Sequence, residues 1–173
     1  MASRKKAPAN KYTENPLESF GYLFRVVFRS FSRTLEKRIL PYGITTGQWR
    51  FLRVLWTEDG LTQIELSRRV GMREPTTVVA VNSLERAGYV VRRKSSTDRR
   101  KVHIHLTASA KRLKVKLLPF VAEVNDIGLK GLKPKQIKDL YKILRKILEN
   151  LSLDDDDSYQ DAGLHAFGSD END

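Results

Sequence analysis

The segment 62-TQIELSRRVGMREPTTVVAVNSLERAG-88 and its continuation 89-YVVRRKSSTDRRKVHIHL-106 read as a helix, a turn, a second helix and a β-hairpin. Thr62 and Glu65 make a Thr-x-x-Glu capping box, in which hydroxyl and carboxylate satisfy N–H groups left open at a helix start. The helix it begins is expected to bury Ile64, Leu66 and Val70 and to break at Gly71. Pro75 suits the first position of the next helix, where its missing N–H costs nothing. Thr77, Ala80, Val81 and Leu84 share one face of that helix, and Gly88 supplies the stop. The opposite face presents Pro75, Thr76, Val79, Asn82, Ser83 and Arg86.

In a helix-turn-helix the second helix points into the major groove of DNA, so that face, with Arg73 at its entrance, is the candidate reader. Thr76 and Asn82 can hydrogen-bond base edges there, and Val79 or Pro75 can touch a thymine methyl. In the hairpin, Val102, Ile104 and Leu106 are expected inward and His103 and His105 outward, as surface residues. Its loop, Ser95 to Lys101, is polar and strongly charged. Arg99 or Arg100 suits a narrow minor groove, where negative potential attracts a guanidinium, and Lys101 adds a further cation. Asp98 is expected to hold one arginine in place through a bidentate pair.

Upstream, Leu17, Phe20, Phe24, Val27, Phe28, Phe31 and Leu35 recur at steps of three and four, the stripe of a long amphipathic helix ending near Pro41-Tyr42-Gly43. Thr45 and Gln48 repeat the capping box and open a helix through Trp49, Leu52, Val54, Leu55 and Trp56. Downstream, residues 108–127 form a helix carrying Leu113, Leu117, Leu118 and Val121, with Pro119 expected to kink it and Gly128 and Gly131 to end it. A last helix begins at Pro134 and sets Ile137, Leu140, Tyr141, Leu144, Ile147, Leu148 and Leu151 on one stripe. A small winged domain cannot cover both flanking stripes, so they are expected to be buried between two chains.

At 173 residues the chain holds one core-bearing domain, mainly α with a small β-wing. We divide it into a basic N-terminal arm (1–14), an N-terminal dimerisation helix (15–45), a winged helix-turn-helix domain (46–106), C-terminal dimerisation helices (107–151) and an acidic tail (152–173) expected to be disordered. The tail carries eight Asp and Glu and no Lys or Arg, so residues 1–151 hold 32 cationic against 13 acidic side chains, a net +19. Such a body attracts a polyanion through counterion release. Charge alone does not choose between a sequence-specific regulator and an architectural DNA-binding or double-stranded-RNA-binding module without an effector. Cysteine is absent, no apolar leader segment precedes the first helix and no run of 18 apolar residues occurs; a cytoplasmic protein without a membrane partner is expected. The chain has no nucleophile–base spacing, phosphate-cradling loop or metal-ligand cluster, so neither an enzyme nor a cofactor or metal is expected.

Gly43-Ile44-Thr45-Thr46-Gly47-Gln48-Trp49, Leu61-Thr62-Gln63-Ile64-Glu65-Leu66-Ser67, Leu84-Glu85-Arg86-Ala87-Gly88-Tyr89-Val90 and Asp98-Arg99-Arg100 followed by Leu106-Thr107 closely resemble the MarR family of winged helix-turn-helix transcription regulators. The resemblance covers about residues 15–151. It implies a homodimer on a palindromic double-stranded DNA operator, often a repressor released by a small aromatic or phenolic compound, with Arg100 as the minor-groove residue and Asp98 as its orienter. One departure stands out: where relatives often place a basic or polar residue midway along the reading helix, this chain has Val78-Val79-Ala80-Val81. Direct base hydrogen bonds are therefore expected to be few, with Arg73 and the wing supplying more of the affinity. Phe24, Arg25, Phe28, Arg29, Trp49 and Arg53, together with Phe31 and Trp56, are the candidate lining of an effector pocket between the dimer helices and the winged domain. An aromatic anion would suit it, and the extra arginines would suit an acyl-CoA thioester.

Overall fold

Both capping boxes form, and they fix where two helices begin. The Gln48 N–H donates to Thr45 Oγ1 over 3.2 Å while the Thr45 N–H donates to Gln48 Oε1 over 3.0 Å. Glu65 N–H reaches Thr62 Oγ1 at 3.3 Å, and Thr62 N–H reaches Glu65 Oε2 at 2.7 Å. The computed structural model describes residues 15, 17, 19–98 and 100–154, the last three by backbone alone. The basic arm, Arg99 and most of the acidic tail lie outside the described residues.

The order is α1 (Phe20–Ile39), a 3-10 turn (Leu40–Tyr42), α2 (Thr46–Thr57), β1 (Leu61–Thr62), α3 (Gln63–Val70), α4 (Glu74–Arg86), β2 (Val90–Lys94), β3 (Val102–Leu106), α5 (Ala108–Leu129) and α6 (Pro134–Asp154). The sheet is antiparallel in the order β1-β3-β2, with Leu61 opposite Ile104 and Arg92 opposite Ile104 on its other side. Its third strand is not anticipated by the hairpin pattern. Two residues are too few to show alternation, and β1 is drawn into the sheet by the Asp59-Gly60 turn. Asp59 Oδ1 accepts from Leu106 N–H at 2.8 Å and Gly60 N–H donates to the Ile104 carbonyl at 3.1 Å.

That turn also covers the histidines, which alternate with buried Ile104 and Leu106 on the outer face of β3. His103 Nδ1 lies 2.7 Å from the Gly60 carbonyl, and the His105 ring covers Gly60 so closely that a Cβ there would meet Cε1 at 2.8 Å. Both imidazoles are half-buried, whereas Val102, expected inward, is exposed at the wing.

The core centres on the winged unit, where Phe51, Leu52, Leu55, Leu66, Val81, Leu84, Val90 and Ile104 are fully buried, and Ile39 and Ile44 join it from before that unit and Leu117 of α5 from after it. Each such side chain contributes about 1.5–3 kcal/mol relative to exposure. Ile64 does not join them; it is 49% exposed, because α3 turns only Leu66 and Ser67 fully inward. Trp56 Nε1 donates to the Ala110 carbonyl at 3.0 Å and meets Trp49 edge to face at 5.4 Å, tying α2 to the start of α5.

Several boundaries differ from the sequence reading. Helix α1 begins at Phe20, after Ser19, so Leu17 of the expected stripe precedes it, and Pro75 takes the second rather than the first position of α4. Helix α5 continues through Pro119 and through Gly128, ending at Leu129 before Gly131 (φ 87°). Gly128 is not a terminator. It is the point where Phe31 of α1 presses on the α5 backbone, and a Cβ there would lie 2.1 Å from the ring. The last helix starts at Pro134 as expected and runs on to Asp154. Of α1 only Ile39 is buried, and no described residue of α6 is. Phe20, Leu23, Phe24, Val27 and Phe28 are each about half exposed, as are Tyr141 and Leu151 on α6.

Candidate nucleic-acid interface and effector cleft

Helix α4 is held by polar contacts at its entrance. Gly71 adopts the left-handed conformation (φ 68°), its N–H reaching the Arg68 carbonyl, and Ser67 Oγ donates to the Met72 carbonyl at 2.6 Å. Buried Thr77 anchors the first turn through the Arg73 carbonyl. With Val81 and Leu84 inward, Arg73, Pro75, Thr76, Val79, Asn82 and Arg86 are exposed, Val79 by 67%. Ser83 is half-buried and accepts from Gln48 Nε2 at 2.9 Å, so it joins α4 to the α2 cap. Asn82 Oδ1 accepts from Arg92 Nη2 at 2.7 Å, and the same guanidinium pairs with Glu85.

The wing loop is ordered by Asp98 through the backbone. Its Oδ1 accepts from the Arg100 N–H at 3.0 Å and its carbonyl from the Lys101 N–H at 2.9 Å, while Ser95 N–H closes the loop on the Lys101 carbonyl. Ser95 Oγ also takes the N–H groups of Thr97 and Asp98. The sequence suggests a carboxylate gripping a guanidinium; among the described residues, which leave out Arg99, the contact Asp98 makes is to the N–H two residues on, a donor a short acidic side chain reaches in a tight turn. Arg100 and Lys101 are exposed. At the wing base, the Thr62 hydroxyl and backbone N–H hold the Glu65 carboxyl below the usual carboxylate range, opposed by partial burial and assisted by His103 and Lys101.

A cavity of about 210 Å³ opens among Phe28, Phe31, Ser32 and Leu35 of α1, Thr46, Trp49 and Arg50 of α2, and Val121, Val124 and Asn125 of α5. Of the expected lining, Phe28, Phe31 and Trp49 meet there, whereas Trp56 is buried in the core outside it. Phe24, Arg25, Arg29 and Arg53 lie outside the lining: Arg25 stacks over Tyr22 at 5.3 Å and Arg53 over Trp49 at 5.7 Å. The cation at the cavity is Arg50, 5.2 Å from the Phe28 centroid. Its spacing from Thr46, with Trp49 between, is the helical signal that marks it.

The MarR family's sequence model matches residues 42–101. A MarR transcriptional regulator from Methanosarcina mazei Go1 is 31% identical, superposing with a TM-score of 0.72 over 77% of this chain and 96% of its own. This chain belongs to the MarR family. It is a DNA-binding transcriptional regulator with the family's winged-helix fold. The fold is shared with MepR from S. aureus, solved bound to DNA (24% identity, TM-score 0.71, 76% of this chain and 98% of that one). It is shared as well with BpsR from Bordetella bronchiseptica, whose DNA binding is regulated by 6-hydroxynicotinic acid (20% identity, TM-score 0.67, 73% and 96%). Among the described residues of this MarR-family chain, no group of three or more acidic or histidine side chains is placed to hold a metal, and no helix is long and apolar enough to cross a membrane.

Proposed function

We propose that the chain acts as a homodimeric repressor of a palindromic operator, released by a small aromatic acid. The observation carrying this reading is the exposed α4 stripe of Pro75, Thr76, Val79 and Asn82 beside a wing whose loop is organised around Asp98. In this reading α4 enters the major groove, Arg73 and Arg86 meet flanking phosphates, and Arg100 enters the adjacent minor groove with Arg99 and Lys101 near the backbone. The half-exposed stripes of α1 and α6 pair with those of a second copy. Two-fold symmetry then sets the reading helices one DNA turn apart, about 34 Å.

The cavity between α1, α2 and α5 receives the effector. Its volume suits one aromatic ring rather than a whole acyl-CoA, Phe28 and Trp49 supply apolar walls, and Arg50 neutralises a carboxylate. Because the cavity spans both the dimer helices and the winged unit, a ligand there biases their relative placement and hence the spacing of the reading helices.

The test is selection of bound fragments from genomic DNA, followed by competition with random duplex DNA and duplex RNA. The expected result is one symmetric sequence, preferred over both competitors, with affinity falling on addition of monocyclic aromatic acids. Equal affinity for all three nucleic acids would contradict the reading.

A further inference from the structure

Arg92 lies on β2, in the stem of the wing, yet its guanidinium bonds two side chains of α4 at once, Asn82 and Glu85. A guanidinium carries donors alone, so the Asn82 amide must turn its oxygen toward Arg92. This settles which end of the amide faces β2: the oxygen is held there, and the NH2 group with its two N–H donors is the end left to turn away. The oxygen that could otherwise accept a bond is already committed to a cation through a charge-assisted contact. Beside it, Val79, Asn82, Glu85 and Arg86 border an open hollow on the outer face of α4. Pro75, Val79, Asn82 and Arg86 fall at helical intervals on that face, which makes Asn82 the single amide in its middle.

We infer that Arg92 is a positioning residue that fixes the Asn82 amide as a donor toward the major groove, so that Asn82 selects a base with an acceptor edge, guanine through N7 and O6, at one position of each half-site. The inference rests on the proposal that α4 reads DNA. An unrestrained asparagine can rotate its amide and pair with adenine through both a donor and an acceptor, which guanine does not offer. Holding the oxygen removes that freedom and converts a tolerant residue into a discriminating one.

The experiment compares base preference at every operator position for the full-length wild type, Arg92→Met, Arg92→Lys and Asn82→Ala, each first checked for native helicity and melting. Loss of Arg92 also uncovers Glu85 and weakens binding to all sequences, so the profile, rather than the affinity, is the readout. The wild type should prefer guanine to adenine about tenfold at one symmetric position. Asn82→Ala should flatten that position alone, Arg92→Met should relax guanine against adenine there to within about twofold, and Arg92→Lys, which keeps a cation and a donor without the fork, should fall between. A wild-type profile retained by both Arg92 variants overturns the inference, as does an Asn82→Ala variant that loses affinity uniformly, the mark of a phosphate contact. Thr76→Ala and Val79→Ala separate the two failures: if they alter the profile while Asn82 and Arg92 do not, α4 still reads DNA and only the role of Arg92 falls; if none alters it, the reading helix itself is wrong.

Discussion

Gly128→Ala should damage effector response before it damages DNA binding, because the methyl is aimed at a ring that borders the cavity. The added Cβ would sit 2.1 Å from Phe31 Cζ and 2.8–2.9 Å from both Cε atoms, so the ring must retreat by about 1.3 Å to restore the 3.4 Å of ordinary contact. Overpacking of this kind costs about 1–3 kcal/mol, and replacing glycine by alanine inside a helix returns up to about 1 kcal/mol. The net is a loss of up to about 2 kcal/mol, or a fall in Tm of up to about 8 °C for a domain of this size. The loss stays moderate because Phe31 has somewhere to go: the 210 Å³ space it shares with Phe28, Trp49 and Val124. Filling that space should abolish release by aromatic acids while operator affinity changes less than about threefold. Thermal melting and a DNA titration with and without ligand measure both. In the double variant with Phe31→Leu the two costs should be strongly non-additive, since the shorter side chain removes the clash. A Tm equal to or above wild type for Gly128→Ala alone, with ligand response intact, would refute the packing argument.

Arg100→Ala should weaken operator binding by about 1–3 kcal/mol while leaving the melting curve unchanged, as read by anisotropy titration. Asp98→Ala should cost the operator complex about 0.5–1.5 kcal/mol through loss of the bond to the Arg100 N–H, without weakening binding to random DNA, since a negative charge is removed; equal losses on both DNAs would count against its loop-ordering role. Glu65 titrates below its ordinary range in the folded chain, so the stability it contributes is present at neutral pH and is lost as pH falls through that range toward the folded value. Glu65→Gln, which still accepts from Thr62, should therefore lose less Tm than wild type between neutral pH and about pH 3. Removing residues 155–173, with most of the tail's carboxylates, should raise affinity for random DNA at low salt, and superimposable curves would reject competition between tail and DNA.

The elements most legible in the sequence are those written in local chemistry. Thr45/Gln48 and Thr62/Glu65 place two helix starts because capping needs only residues three apart, and Thr77, Val81 and Leu84 reveal the inward face of α4 because helical period alone selects it. What escaped depends on partners distant in sequence. Leu61 becomes a strand only through Ile104, and the His105 ring is half-covered only because Gly60, 45 residues earlier, lacks a side chain. Gly128 looks like a stop signal until Phe31 is seen against it. Arg50 and Arg53 are equivalent in composition, and only the packing of α1 and α5 on α2 decides that Arg50 faces Phe28 at the cavity while Arg53 sits over Trp49. The exposed character of α4 was readable; the tie from Arg92 to Asn82 and Glu85 was not, since no local rule relates a strand arginine to a helix amide ten residues before it.

The most direct test of the central claim is hydroxyl-radical footprinting of the full-length protein on a selected operator, alongside Arg100→Ala. The account predicts two symmetric protected regions about one turn apart, each flanked by a minor-groove protection that disappears in the variant. A single protected region without symmetry, or flanking protection that survives the loss of Arg100, would contradict it.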